Sequence, residues 1–237
     1  MTDQAAGTPL TRQQISDAVG GLGWRFAVGV IRTSVLTGSL AQAAEVARAV
    51  TSVAGEQADR SLSADLRPDR VVLTLQSRAD GRIGPREVGL AQRISAAVSD
   101  LGLVTEPEVG RDGSRSVQVL EIAIDALDIP AVRPFWKAVL GYADEPGGGA
   151  SDPGAGLADP VGQGPTIWFQ QMDAPRPQRN RIHFDVVVPH DESERRIQAA
   201  LDAGGRLIND AEAPAFWVLA DPEGNEACVC TWLGRDP

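Results

Sequence analysis

The chain has 237 residues, enough for one large domain or two small ones with an adequate core in each. Hydrophobic residues make up 43% and charged residues 23%, which is a globular composition, and the formal net charge is −10. That charge argues against a nucleic-acid footprint or a role on anionic membranes, both of which need clustered Lys and Arg. No apolar run is long enough to span a bilayer, and the N-terminus lacks the basic start and apolar core of a signal peptide. The two cysteines lie two residues apart, so no disulfide framework is indicated and a cytoplasmic setting is the simplest expectation.

Residues 1–9 read as a tail. Thr11 and Gln14 form a capping-box pattern before a helix carrying Ile15, Ala18 and Val19, which Gly20-Gly21 can stop. Trp24–Val30 and Arg32–Leu36 read as a strand hairpin. Ser39 can cap a longer helix with Leu40, Ala43, Ala44, Ala47, Val50 and Ala54 at helical spacing. Arg70–Gln76 is rich in β-branched residues and predicts a strand. Gly84-Pro85 opens a third helix that ends at Gly102. Residues 103–116 are polar with Pro and Gly, and predict a linker between a domain over 10–102 and one over 117–234.

The second half repeats itself. Val117–Asp125 predicts a strand, and Asp128 precedes a helix with Val132, Phe135, Trp136, Val139 and Leu140. A glycine-rich stretch (146–164) leads to a strand over Thr166–Met172. Arg181–Val188 is again a strand, and Asp191 with Glu194 suggests a capping box for the next helix. Arg206–Ile208, Phe216–Leu219 and Glu226–Thr231 complete the pattern, with a type I turn at Asp221, Pro222 and Gly224. The order predicts two βαβββ modules. The fold class expected is α+β throughout: an N-terminal antiparallel sheet with helices on one face, and C-terminal paired modules.

Alternation assigns faces. Leu120, Ile122 and Ile124 form a side for a helix to cover, which sends Glu121 the other way with Val119 and Ala123. Ile182, Phe184, Val186 and Val188 do the same for His183 and Asp185. Glu226, Cys228 and Cys230 share one face of the last strand. The aromatics Trp168 and Trp217 lie on strands where they could stack on a planar ligand, although a core role is at least as good a reading. The basic run Arg176–Arg181 could attract an anionic substrate or be a solvated loop.

The segments EIAIDALDIPAVRPFWKAVLGY, NRIHFDVVV and LADPEGNEACV resemble the glyoxalase/bleomycin-resistance/dioxygenase group, the vicinal oxygen chelate superfamily, over about residues 116–233. The resemblance implies two βαβββ modules closing around a cup. It implies Glu121 and His183 as acid/base or ligand groups, with Asp185, Trp168, Trp217, Cys228 and Glu226 lining the site. Where metal-dependent relatives carry a last carboxylate ligand, this chain has Cys228. A set of Glu121, His183 and Cys228 could hold a divalent metal such as zinc. The competing reading of Cys228 as a small buried residue makes the absence of a metal the primary expectation.

Gly23-Trp24, the AEVARAV helix, the RVVLTLQS strand and GRIGPREVGLAQRI resemble pterin-4a-carbinolamine dehydratase. A gapless match puts Glu56 at that family's acid. It puts Arg60, Ser61 and Leu62 at its His-His-Pro, Arg78 at a later His and Glu87 at an Asp. Arg stays protonated where His exchanges protons near neutrality, so the half is expected to keep the fold and lack the dehydratase chemistry. The combined expectation is an enzyme or binder of a small molecule acting through the C-terminal cup. Its N-terminal half would serve assembly, as in a homodimer, or ligand capture. The alternatives are a non-catalytic interaction protein or sensor and, third, a working dehydratase.

Overall fold

A computed structural model describes residues 10–27, 29–108, 116–146, 155–175, 183–188, 190–231 and 233–234. The expected tail, the basic run Arg176–Arg181, and parts of the linker and of the glycine-rich stretch lie outside the described residues. The chain divides into two compact units, Met1–Val119 and Leu120–Pro237.

The first unit runs α1 (Arg12–Gly20), β1 (Arg25–Ala27), β2 (Val30–Leu36), α2 (Leu40–Ala54), α3 (Gln57–Ser61), β3 (Leu62–Arg67), β4 (Arg70–Leu75), α4 (Pro85–Asp100) and β5 (Thr105–Glu106). Its antiparallel sheet has the order β1-β2-β4-β3, with β5 also pairing β2. Local chemistry sets the helix starts. The Thr11 hydroxyl accepts the Gln14 N–H while the Gln14 side chain accepts the Thr11 N–H, a closed capping box. The Ser39 hydroxyl accepts the Gln42 N–H. Alternate residues of β2 and β4 (Ile31, Val35, Val71, Leu73, Leu75) join Ala43, Val46, Val50, Leu90, Ile94 and Val98 of α2 and α4 in one core. Trp24 is fully buried there, and its indole N–H donates to the Ser95 hydroxyl. Three elements depart from the sequence reading. Gln57–Ser61 form the short helix α3. The segment LSADLR forms β3, and Thr105-Glu106, inside the expected linker, form β5.

The second unit runs β6 (Glu121–Ala126), α5 (Ile129–Leu140), β7 (Ala143–Asp144), β8 (Leu157–Ala158), β9 (Thr166–Gln171), β10 (Phe184–Val187), α6 (Ser193–Asp202), β11 (Arg206–Asn209), β12 (Phe216–Ala220) and β13 (Glu226–Cys230). This is βαβββ twice over. Its two sheets have equivalent orders, β6-β9-β8-β7 and β10-β13-β12-β11. In each sheet the first strand of the module pairs with the last in parallel. Ile124, Phe169, Ala227, Val229 and Leu219 pack with Val132, Phe135, Trp136 and Ala200 of the two helices in one core. The first strand begins at Glu121 rather than Val117, and Leu120 is 60% exposed instead of covered. Helix α6 begins at Ser193 with Glu192 at its N-cap and no side-chain cap, so the expected Asp191–Glu194 box does not form.

The DPEGNE turn ties the two modules together. Asp221 is fully buried, and its carboxylate accepts the N–H groups of Glu223 and Asn225 and the indole N–H of Trp136 on α5. The Glu223 carboxylate accepts the N–H groups of Leu127 and Asp128 at the entry to α5. Trp136 also stands edge-on to Phe135 and to Phe184 of the second module, each with ring centroids 5.4 Å apart. Among the described residues no helix is long and apolar enough to cross a membrane.

Candidate functional site

Strand alternation and one parallel register assemble the cluster on which the site rests. Phe184 and Val186 of β10 pack toward the helix-covered core. His183 and Asp185 therefore lie on the other face, and both side chains are more than half exposed. The β10–β13 register sets Asp185 opposite Cys228. His183 Nε2 lies 3.5 Å from Asp185 Oδ1. Cys228 and Asp185 are register partners, and ligand atoms of His183, Asp185 and Cys228 all fall within 4.8 Å of one another. Two exposed polar groups thus stand over a thiol at the base, since Cys228 is buried. Burial first, and then the Asp185 charge, push the Cys228 thiol up to about 11. The thiol therefore stays protonated near neutral pH, with Cys230 and Glu226 adding to the effect.

Glu226 opens β13 opposite Ala220 and shares the Cys228 face. Trp217 pairs with Val229, a residue of the helix-covered core, so alternation puts it on the face away from Cys228. That corrects its expected place at the site. Glu121 lies in the first module, on β6 opposite Thr166, and Trp168 is its half-exposed neighbour on that face opposite Ala123. Among the described residues Glu121 does not belong to the group that includes His183 and Cys228. The three groups that do lie together are His183, Asp185 and Cys228.

Glu121 has a different neighbour, which no sequence motif indicated. Glu145, just past β7, places its carboxylate against Gly156, where a Cβ would lie 2.6 Å from its Oε2. The glycine, just before β8, leaves room for that carboxylate. Burial, and then the Glu121 charge, raise the Glu145 pKa above the ordinary 4.5. A raised folded-state pKa means that the folded protein holds this proton more tightly than the unfolded chain. The associated stability is present at low pH and is lost as pH rises from about 4.5 through the raised value. Urea titrations of wild type and Glu145→Gln across that window should show wild type losing stability relative to the variant as pH increases. Parallel pH profiles would remove the carboxyl from this role.

Of the residues matched by sequence to dehydratase positions, Ser61, Arg78 and Glu87 are engaged in structural bonds. Glu87 is 5% exposed, and its carboxylate accepts the Ser61 hydroxyl and the Gly84 N–H at the start of α4. The Arg78 guanidinium donates to the carbonyls of Asp59 and Leu62 and to the Ser63 hydroxyl. Arg60 and Glu56 are exposed, on and beside the single-turn helix α3. Both histidines of the chain, His183 and His190, lie in the second unit, so the first offers no imidazole for proton exchange near neutrality.

No curated protein matches the chain. Among solved structures, a glyoxalase/bleomycin resistance protein/dioxygenase family enzyme from Burkholderia phytofirmans PsJN is similar at 22% identity. It covers 48% of this chain and 97% of its own, with a TM-score of 0.39. A transcriptional coactivator/pterin dehydratase from Brucella melitensis is 20% identical over 38% of this chain and 98% of its own, with a TM-score of 0.34. A fosfomycin resistance protein from Mesorhizobium loti is 10% identical over 49% of this chain and 92% of its own, with a TM-score of 0.39. The family model described as glyoxalase-like domain matches residues 121–230, from the first residue of β6 to the last of β13. Residues 121–230 therefore carry a glyoxalase-like domain, and His183, Asp185 and Cys228 all lie within it.

Proposed function

We propose that the protein binds, and in a catalytic version transforms, a small polar molecule at the face of the second unit that carries His183, Asp185 and Cys228. The observation that supports this reading is the cluster itself. A solvent-reachable imidazole, an adjacent carboxylate and a buried thiol converge on the face opposite the helix-covered core. An imidazole and a carboxylate so placed can orient a ligand, accept a proton from it or return one. The glyoxalase-like domain supplies the scaffold, with the first unit serving assembly or ligand capture. The lack of a histidine in that unit, and the use of Glu87 and Arg78 in structural bonds, favour a retained fold without dehydratase chemistry.

The test is ligand-induced stabilisation across a panel of pterins, thiol adducts and aromatic diols. At least one class should raise the melting temperature of wild type, and His183→Ala should lose that rise while keeping its ligand-free stability. A panel without any response, or an unchanged response in His183→Ala, would count against the site. Turnover of a 4a-carbinolamine at a useful rate would overturn the assignment of the first unit.

A further inference from the structure

The metal ligands that the fold family implies are not the ones this chain brings together, and the difference is informative. We infer that His183, Asp185 and Cys228 form a cation site of the zinc class contained wholly within the second module, with Glu121 outside it. This deepens the small-molecule reading of the same face by assigning its inorganic component, but the site can be tested without any organic ligand.

Three observations carry the assignment. The first is donor chemistry. One nitrogen, one oxygen and one sulfur donor suit a borderline ion such as Zn²⁺, whereas Mg²⁺ and Ca²⁺ favour all-oxygen shells. The second is spacing. Donors at zinc distances in a tetrahedral shell stand about 3.3–3.8 Å apart. His183 Nε2 and Asp185 Oδ1 are already at 3.5 Å, and all three ligand atoms lie within 4.8 Å of one another. Small side-chain rotations would close the set. The third is its support. Asp185 and Cys228 are register partners on adjacent parallel strands and His183 precedes Asp185 by two residues, so backbone pairing fixes their relative positions without the ion.

The approach and its proton balance follow. An ion from solvent meets the exposed imidazole and carboxylate first and settles onto the buried thiol. The S–metal bond forms as the thiol proton leaves to water, so each ion bound at sulfur releases one proton. Three protein donors leave the fourth tetrahedral position to solvent or a ligand, the arrangement of an open site.

The experiment uses the full chain, reduced and stripped with chelator, then titrated with Co²⁺ and afterwards with Zn²⁺. Wild type should take up one Co²⁺ per chain with a thiolate-to-cobalt charge-transfer band, and Zn²⁺ should displace it. Changes outside the first coordination shell of zinc sites cost about 10–100-fold in affinity, so loss of a direct donor in His183→Ala or Asp185→Asn should cost at least about 100-fold. Cys228→Ser should abolish the charge-transfer band, and Glu121→Gln should bind like wild type. Asp185→Asn is isosteric at a mostly exposed side chain, so a weakened response there cannot be ascribed to misfolding. The absence of Co²⁺ uptake, uptake without a thiolate band, or a loss in Glu121→Gln equal to that in His183→Ala would each overturn the site. Running the organic panel on metal-free protein separates the two claims. Stabilisation by a ligand without any cation uptake refutes the metal site alone, and uptake without a response to any ligand, with or without metal, refutes the small-molecule reading alone.

Discussion

Asp221→Ala should destabilise the second unit by about 3–5 kcal/mol, the range expected when a buried hydrogen-bonded network loses its central acceptor. The carboxylate has no solvent exposure. Oδ1 accepts the N–H groups of Glu223 and Asn225, both at 2.9 Å, and Oδ2 accepts Trp136 Nε1–H at 3.0 Å and the Asn225 side-chain amide at 2.8 Å. Alanine removes all four acceptor contacts at once. It leaves the indole N–H of a tryptophan that is 1% exposed without its carboxylate partner. Trp136 belongs to the first module and Asp221 to the second, so the loss also loosens the packing that joins them. Asp221→Asn should be milder, because one face of its amide still accepts while the other points a donor at existing donors. Urea unfolding followed by far-UV circular dichroism measures both. A cost below about 1 kcal/mol for Asp221→Ala would show that the turn holds its shape without the carboxylate.

The same turn marks where sequence reading works. Asp, Pro and Gly at set offsets predict a turn, and the antiparallel β12–β13 pair closes there, with Ala220 opposite Glu226. Local rules also placed the caps at Thr11 and Ser39, because capping is decided within a few residues. Period-two alternation put Glu121, His183 and Asp185 on the faces away from the helices, since side-chain direction is local as well. Which residues of those faces meet is a different kind of information. Asp185 and Cys228 are 43 positions apart in sequence and become neighbours only through the β10–β13 register, which no local pattern encodes. Glu145 reaches the vicinity of Glu121 over Gly156, again across strands. The strand β3 was invisible for a related reason. Ser63, Ala64 and Asp65 are poor strand formers and exposed, and pairing of this edge strand along β4 sets their conformation. Trp217 shows the converse error, because aromatic character suggested a ligand while the register assigns its face to the core side.

Gly23→Ala should destabilise the first unit by about 2–4 kcal/mol, whereas Gly21→Ala, two residues away, should change stability by no more than about 0.5 kcal/mol. Both glycines lie between α1 and β1, so sequence position alone does not distinguish them. Gly21 has φ −68 and open space where a Cβ would stand. Gly23 has φ +79, a left-handed conformation that costs an L-residue about 1–2 kcal/mol. A Cβ there would also overlap the Thr105 carbonyl oxygen, a backbone atom that no side-chain rotation can move aside. Relief requires β5 to shift away from β2. That shift strains the Thr33 hydroxyl, which donates to the Glu106 carbonyl of β5, and the Thr105 hydroxyl, which donates to the Leu22 carbonyl at 2.7 Å. Thr105 in turn holds Ser95, the partner of the buried Trp24 indole, so the disturbance reaches the core. Loss of native Trp24 fluorescence should track the unfolding transition of Gly23→Ala to lower urea. Equal midpoints for the two variants would mean that β5 yields freely, and that the close approach of Gly23 to Thr105 does not hold this edge of the sheet.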